Sequence, residues 1–234
     1  MVQQNTHKGQ VSFTLHQWLI VSCSFSFILL CARVAATGYI TYIFLLWNLF
    51  LAFIPYAVSY WLYKNTRVIK NKLKLVAAIA AWLLFIPNSF YLLTDLFHLH
   101  EISSAPKWFD LLLLLSFAWN GLVFGVASLR KMETILYQLS GKKFSLFIVF
   151  SVMWLNAFGI YLGRFLRYNS WDIIAQPFSL FSEMFEILLH PFKNKMEWGM
   201  ISCYAVFMTL LYITIKKMAE SFGQLNNQQI KINK

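Results

Sequence analysis

The chain has 234 residues, 59% of them hydrophobic and 12% charged, with a net charge of +11 and a mean hydropathy of +0.58. A water-soluble domain of this size cannot cover so much apolar surface, which excludes the soluble globular classes. The basic residues lie between apolar runs, with no repeated basic and aromatic interleaving, so the charge carries no nucleic-acid signature.

Apolar runs long enough to cross a hydrocarbon core cover residues 15–36, 40–62, 73–98, 108–129, 144–166 and 197–216. They are continuously apolar, whereas barrel strands would alternate, so the spans are helices. The expected fold is all-α: a polytopic bundle of six spanning helices over 15–217. A short cytoplasmic N-terminus (1–14) precedes it and a polar cytoplasmic tail (218–234) follows. The tail from Glu220 onward is expected to fray. The first run could pass for a signal peptide, but Arg33 and a poor cleavage site argue for retention. Cys23, Cys31 and Cys203 have no CxxC neighbour, so they read as small hydrophobes.

Orientation follows from the short loops. Lys64, Arg67, Lys70, Lys72 and Lys74 separate the second and third spans; Arg130, Lys131, Lys142 and Lys143 separate the fourth and fifth. Lys8, Lys216, Lys217, Lys231 and Lys234 lie on the same side. Asp95, Glu101, Asp110, Asp172, Glu183, Glu186 and Glu197 lie on the other. The basic side, with both termini, is expected in the cytoplasm. Trp18, Trp61, Trp108, Trp171 and Trp198 near span ends suit an interfacial belt.

Between the last two spans, Pro177 suits a first helical position. Ser179, Glu183, Glu186 and His190 then form one polar stripe, and Phe178, Phe181, Met184, Phe185, Leu188 and Leu189 fill the other side. An amphipathic interfacial helix over 177–190, lying as a lid on the bundle, is predicted.

Polar groups at membrane depth are costly and are candidates for function. Pro87 should kink the third span, and Asn88, Tyr91 and Asp95 follow on one face, with His98 beside Asp95. Asp110 opens the fourth span, Asn120 and Asn156 sit deeper, and Arg164 and Arg167 close the fifth. The catalytic candidates are therefore Asp95, His98 and Asp110. The ligand-binding candidates are Arg164, Arg167, Asn88, Asn120 and Asn156. The bland alternative makes Asp95–Arg164 or Asp110–Arg167 ion pairs that fix helix register, with the asparagines as interhelical glue. Gly121 with Gly125, and Gly159 with Gly163, are GxxxG packing pairs, internal to the bundle or joining copies.

Asp95 with His98 and Glu186 with His190 could each offer two metal ligands, but helical pairs of this kind arise easily by chance, and no metal or cofactor is expected. His7, His16 and His100 carry no motif. Ser89, Ser103, Ser104 and Ser116 lack a nucleophile context, and no phosphate or dinucleotide fingerprint is present.

The strings PNSFYLLTDLFHL (87–99), WFDLLLLLSFAWNGLVFG (108–125) and GIYLGRFLRYNSWD (159–172) resemble a family of small bacterial membrane proteins, the domain-of-unknown-function family numbered 1361. The likeness runs from Trp47 to about Trp198. It implies a bacterial multi-pass membrane protein and carries no activity, so no catalytic role transfers with it. Three readings of function follow. The first is a polar site on the outer face that binds or processes an anionic envelope or lipid-linked substrate. A structural or partner-binding subunit and a small solute or ion transporter are the alternatives, and whether the chain is an enzyme stays open.

Overall fold

The computed structural model describes residues 14–100, 105–168 and 172–232. His7, Lys8, Glu101, Ser103, Ser104, Trp171 and Lys234 lie outside the described residues, as do the side chains of His100, Lys142, Lys143 and Lys231. Six of its helices are long and apolar enough to cross a membrane.

Helix α1 (Leu15–Thr37) opens on a capping box between Thr14 and Gln17 and stops at Gly38, whose φ of 71° closes the last turn by donating to the Val34 carbonyl. Helix α2 (Phe44–Lys64) contains Pro55. The one-turn α3 (Thr66–Lys70) carries the basic link to α4 (Lys72–Tyr91), capped by the Asn71 side chain. A 3₁₀ segment, Leu92–His100, continues the same span. Then come α5 (Lys107–Ser140), α6 (Lys142–Arg164), the single turn α7 (Asp172–Ala175), α8 (Pro177–Leu189) and α9 (Lys195–Ile232).

The centre is built from α2, α4 and α5, with α1 against α5, α6 against α4 and α5, and α9 against α6. Hydroxyls tie the central three together. Ser89 Oγ donates to the Ala52 carbonyl at 2.9 Å; Trp82 Nε1 donates to Ser128 Oγ at 2.7 Å, which passes the bond to the Pro55 carbonyl at 2.9 Å. Such bonds contribute about 0.6 kcal/mol each in a bilayer. They therefore fix helix register more than they add stability.

The glycine pairs do not face one another across α5 and α6. Both abut α4. A methyl group on Gly121 would lie 2.7 Å from the Ser89 carbonyl oxygen, and one on Gly125 2.9 Å from the Phe90 ring. On the other side of α4, a methyl on Gly159 would meet Pro87 at 2.9 Å and one on Gly163 the Tyr91 ring at 3.2 Å. The two GxxxG pairs thus clasp the third span from two sides, as small residues allow.

The outside is apolar. Trp18, Ile20, Phe25, Ile28, Phe50, Trp119, Phe147, Leu155 and Leu210 are all exposed. Over a water-soluble surface this would be an aggregation hazard; around six spans it is the lipid-facing wall. Side-chain contacts show α1 running antiparallel to both α2 and α5. Late α1 meets early α5 through Arg33 and Asp110, while early α1 meets late α2 through His16 and Tyr56.

Two elements exceed their expected bounds. With 34 residues, α5 is roughly 50 Å long, well beyond the hydrocarbon core. Its overhang carries Glu133, which accepts from Tyr212 at 2.6 Å, from Arg130 at 3.2 Å and from Lys216. Glu220 lies 3.7 Å from Arg130 and 3.1 Å from Lys217. The tail expected to fray continues α9 as helix to Ile232.

Helix α8 is found where the amphipathic pattern predicts it, with Pro177 in its first turn. Its faces are assigned differently. Leu180, Met184 and Ile187 turn to the bundle and bring Glu183 with them, half-buried, while Phe178, Phe185 and Leu189 point outward. Trp198 Nε1 anchors the helix by donating to the Ile187 carbonyl at 3.1 Å. Glu186 pairs with Lys193 at 2.7 Å, and the lysine holds its carboxyl below the usual range. Both groups are exposed, so the pair adds little.

Candidate functional site

Pro87 has no N–H to offer and crowds the carbonyl one turn back, which weakens α4 near its end. Asn88 Nδ2 donates to the Phe85 carbonyl at 3.1 Å there. From Leu92 the span winds as 3₁₀, with three residues per turn, so side chains three apart eclipse. Asp95 and His98 are therefore stacked on one side of the segment. The tighter winding aligns this pair better than the α-helix expected from the sequence would.

Asp95 is 1% exposed. Asn48 of α2 donates to its Oδ2 at 3.0 Å, and Arg164 at the end of α6 reaches its Oδ1 at 3.4 Å. The same Arg164 Nη1 lies 2.9 Å from His98 Nε2, which accepts, because arginine only donates. The guanidinium also lies over the Phe97 and Tyr91 rings, 5.4 and 5.8 Å from their centroids. Nη1 is the only Arg164 nitrogen with a hydrogen-bond partner among the described residues. Its Nε and Nη2 remain available on a side chain that is 12% exposed.

Directly beside the cluster is a cleft of about 500 Å³ between α2, α4 and α6, roofed by α8. Leu83, Pro87, Leu155, Phe158 and Met184 give it apolar walls, and Asn48, Asn88 and Tyr168 supply polar points. The clasping glycines Gly159 and Gly163 form part of its floor. The volume is typical of a small-molecule pocket, mostly apolar with a few placed polar groups. Tyr168 Oη, at 2.5 Å from Ser179 Oγ, ties the chain after α6 to the α8 roof.

Of the residues singled out from sequence, Asp95, His98, Arg164 and Asn88 come together here. Arg167 follows at the end of α6 with a left-handed φ of 61°, exposed and without an ion pair among the described residues. Asp110 does not join the cluster, nor does it pair with Arg167. It forms a fully buried bidentate pair with Arg33 of α1, at 2.7 and 3.2 Å. Asn120 lies elsewhere, its Nδ2 donating to Ser26 Oγ and the Ser22 and Ser116 carbonyls, which joins α5 to α1. Asn156 is fully buried in α6 and does not line the cleft.

Three participants were not singled out. Asn48 was masked by the apolar run around it. Arg33 carried a usable signal, since an arginine inside a span needs an acid at the same depth, and Asp110 is that acid. Tyr42 links the two pairs: its ring lies 4.4 Å from the Arg33 guanidinium and its hydroxyl donates to the His98 carbonyl at 3.3 Å.

Residues 47–213 match the family model described as Protein of unknown function (DUF1361), and the chain belongs to that family. The match extends past Trp198, where the likeness was expected to end, into the middle of α9. It takes in Asn48, Asp95, His98 and Arg164, and leaves Arg33 outside. No curated protein and no solved structure matches the chain.

Proposed function

We propose that this multi-pass membrane protein binds an anionic, phosphate-bearing lipid in the cleft between α2, α4 and α6. The observation that carries the reading is the state of Arg164. One nitrogen is held by Asp95 and His98, which leaves Nε and Nη2, the fork that grips a phosphate, without a hydrogen-bond partner among the described residues. The buried Asp95 fixes the guanidinium without occupying the fork, and the adjoining apolar cleft suits a hydrocarbon chain. Arg167 adds a second positive charge nearby, and α8 covers the bound molecule.

The basic loops favour a cytoplasmic position for the opposite end of the bundle, and on this reading the cleft opens to the outer leaflet of a bacterial cytoplasmic membrane.

Native mass spectrometry of gently extracted protein tests this reading. Wild type should carry a defined phospholipid or lipid-phosphate adduct that Asp95→Ala/Arg164→Ala lacks while keeping its helical circular dichroism. If folded wild type and variant carry the same mixed lipids, the cluster is a register lock and the proposal is wrong.

A further inference from the structure

A second cleft, which the proposed function does not use, runs along α1 and α2 toward the basic end of the bundle. It lies between α1 and α2 over Phe124 of α5, encloses about 570 Å³, and is walled by Leu19, Cys23, Leu46, Leu49 and Phe53. Its end is polar and cationic. Tyr56 and Tyr60, one turn apart on α2, stack at 6.4 Å between centroids. His16 Nδ1 lies 3.0 Å from Tyr56 Oη, and its ring meets the Tyr60 ring edge-on at 4.7 Å. Next to this end of the cleft, Lys131 of α5 holds its Nζ 4.6 Å from the Tyr56 ring centroid, and Lys64 Nζ lies 4.8 Å from that of Tyr60.

Neither lysine has a carboxylate within ion-pair distance among the described residues. The nearest acid in sequence, Glu133, is turned to Tyr212 and Lys216. Ring faces steer ammonium groups without neutralising them. An apolar slot therefore ends at His16 and Tyr56, with two lysines that lack a carboxylate partner beside it, toward the side where the basic loops gather.

We infer that this cleft is a binding site for an anionic phospholipid of the leaflet at the basic end of the bundle. The chain lies along Leu19, Leu46 and Phe53, and the phosphate is held by Lys131, Lys64 and His16. A zwitterionic lipid brings its own cation to the lysines and is disfavoured.

Cys23 lines the slot and reports on its occupancy. In the full chain with Cys31→Ser and Cys203→Ser, alkylation of Cys23 by N-ethylmaleimide is timed in mixed micelles of phosphatidylglycerol or phosphatidylcholine with matched chains. Phosphatidylglycerol should slow the reaction at least fivefold relative to phosphatidylcholine, and Lys64→Gln/Lys131→Gln should abolish the difference. Equal rates in the two lipids overturn the inference without any lysine variant, and protection that survives the double substitution overturns it as well. The readout is confined to this cleft, so failure here leaves the Arg164 site standing.

Discussion

Arg33→Met is expected to destabilise the protein by about 3–5 kcal/mol, the cost typical of leaving one member of a buried ion pair alone. Both side chains are at most 1% exposed, and the bidentate geometry leaves Asp110 dependent on its partner. The pair is buried within the bundle, so water does not readily replace the lost guanidinium. The rescue is equally specific. Because desolvation of the pair offsets most of its attraction, Arg33→Met/Asp110→Leu should recover most of the loss. Thermal unfolding in one detergent, followed by circular dichroism for both singles and the double, measures this cycle. A double variant as unstable as the sum of the singles contradicts the reading of these groups as a mutually dependent pair.

Arg164→Lys separates ligand binding from structure at the other pair. A lysine can still reach Asp95 as a point charge, but it cannot present a planar fork to a phosphate. Binding of phosphatidic acid should weaken by about tenfold or more, equivalent to roughly 1.4 kcal/mol, with little change in melting temperature. Arg164→Ala should weaken binding further and also destabilise, since it strips Asp95 of its cation. Unchanged phosphatidic acid affinity in a folded Arg164→Lys protein would remove the fork from the mechanism.

The spans were legible because a bilayer imposes a single rule, continuous apolar length, and the sequence obeys it six times. The cluster of Asp95, His98 and Arg164 was legible for the complementary reason that charges at depth are rare and must be met. Its companions were harder. Asp110 was matched with Arg167, and loop charge alone gave no reason to weigh Arg33 instead. The choice depends on α1 packing against α5, a tertiary fact with no local signal. Asn120 and Asn156 are polar at depth like Asn88, yet only Asn88 faces the cleft, because facing depends on helix rotation. The overhang of α5 escaped for the opposite reason: its residues are polar enough to read as a loop, but Glu133 is buried against Tyr212 and Lys216 and holds α9 to it. Both glycine pairs were visible as packing devices, while their common partner, α4, was not.

The most direct test of the cleft is an equilibrium titration of delipidated wild-type protein with three probes: dioleoyl phosphatidic acid, dioleoylglycerol and inorganic phosphate. If Arg164 grips a phosphate whose hydrocarbon lies in the adjoining 500 Å³ cleft, phosphatidic acid binds at least tenfold more tightly than either of the others. Dioleoylglycerol binding as tightly as phosphatidic acid would show that the phosphate is not recognised. Inorganic phosphate binding as tightly would show that the cleft holds no chain, and either result would contradict a lipid-phosphate site.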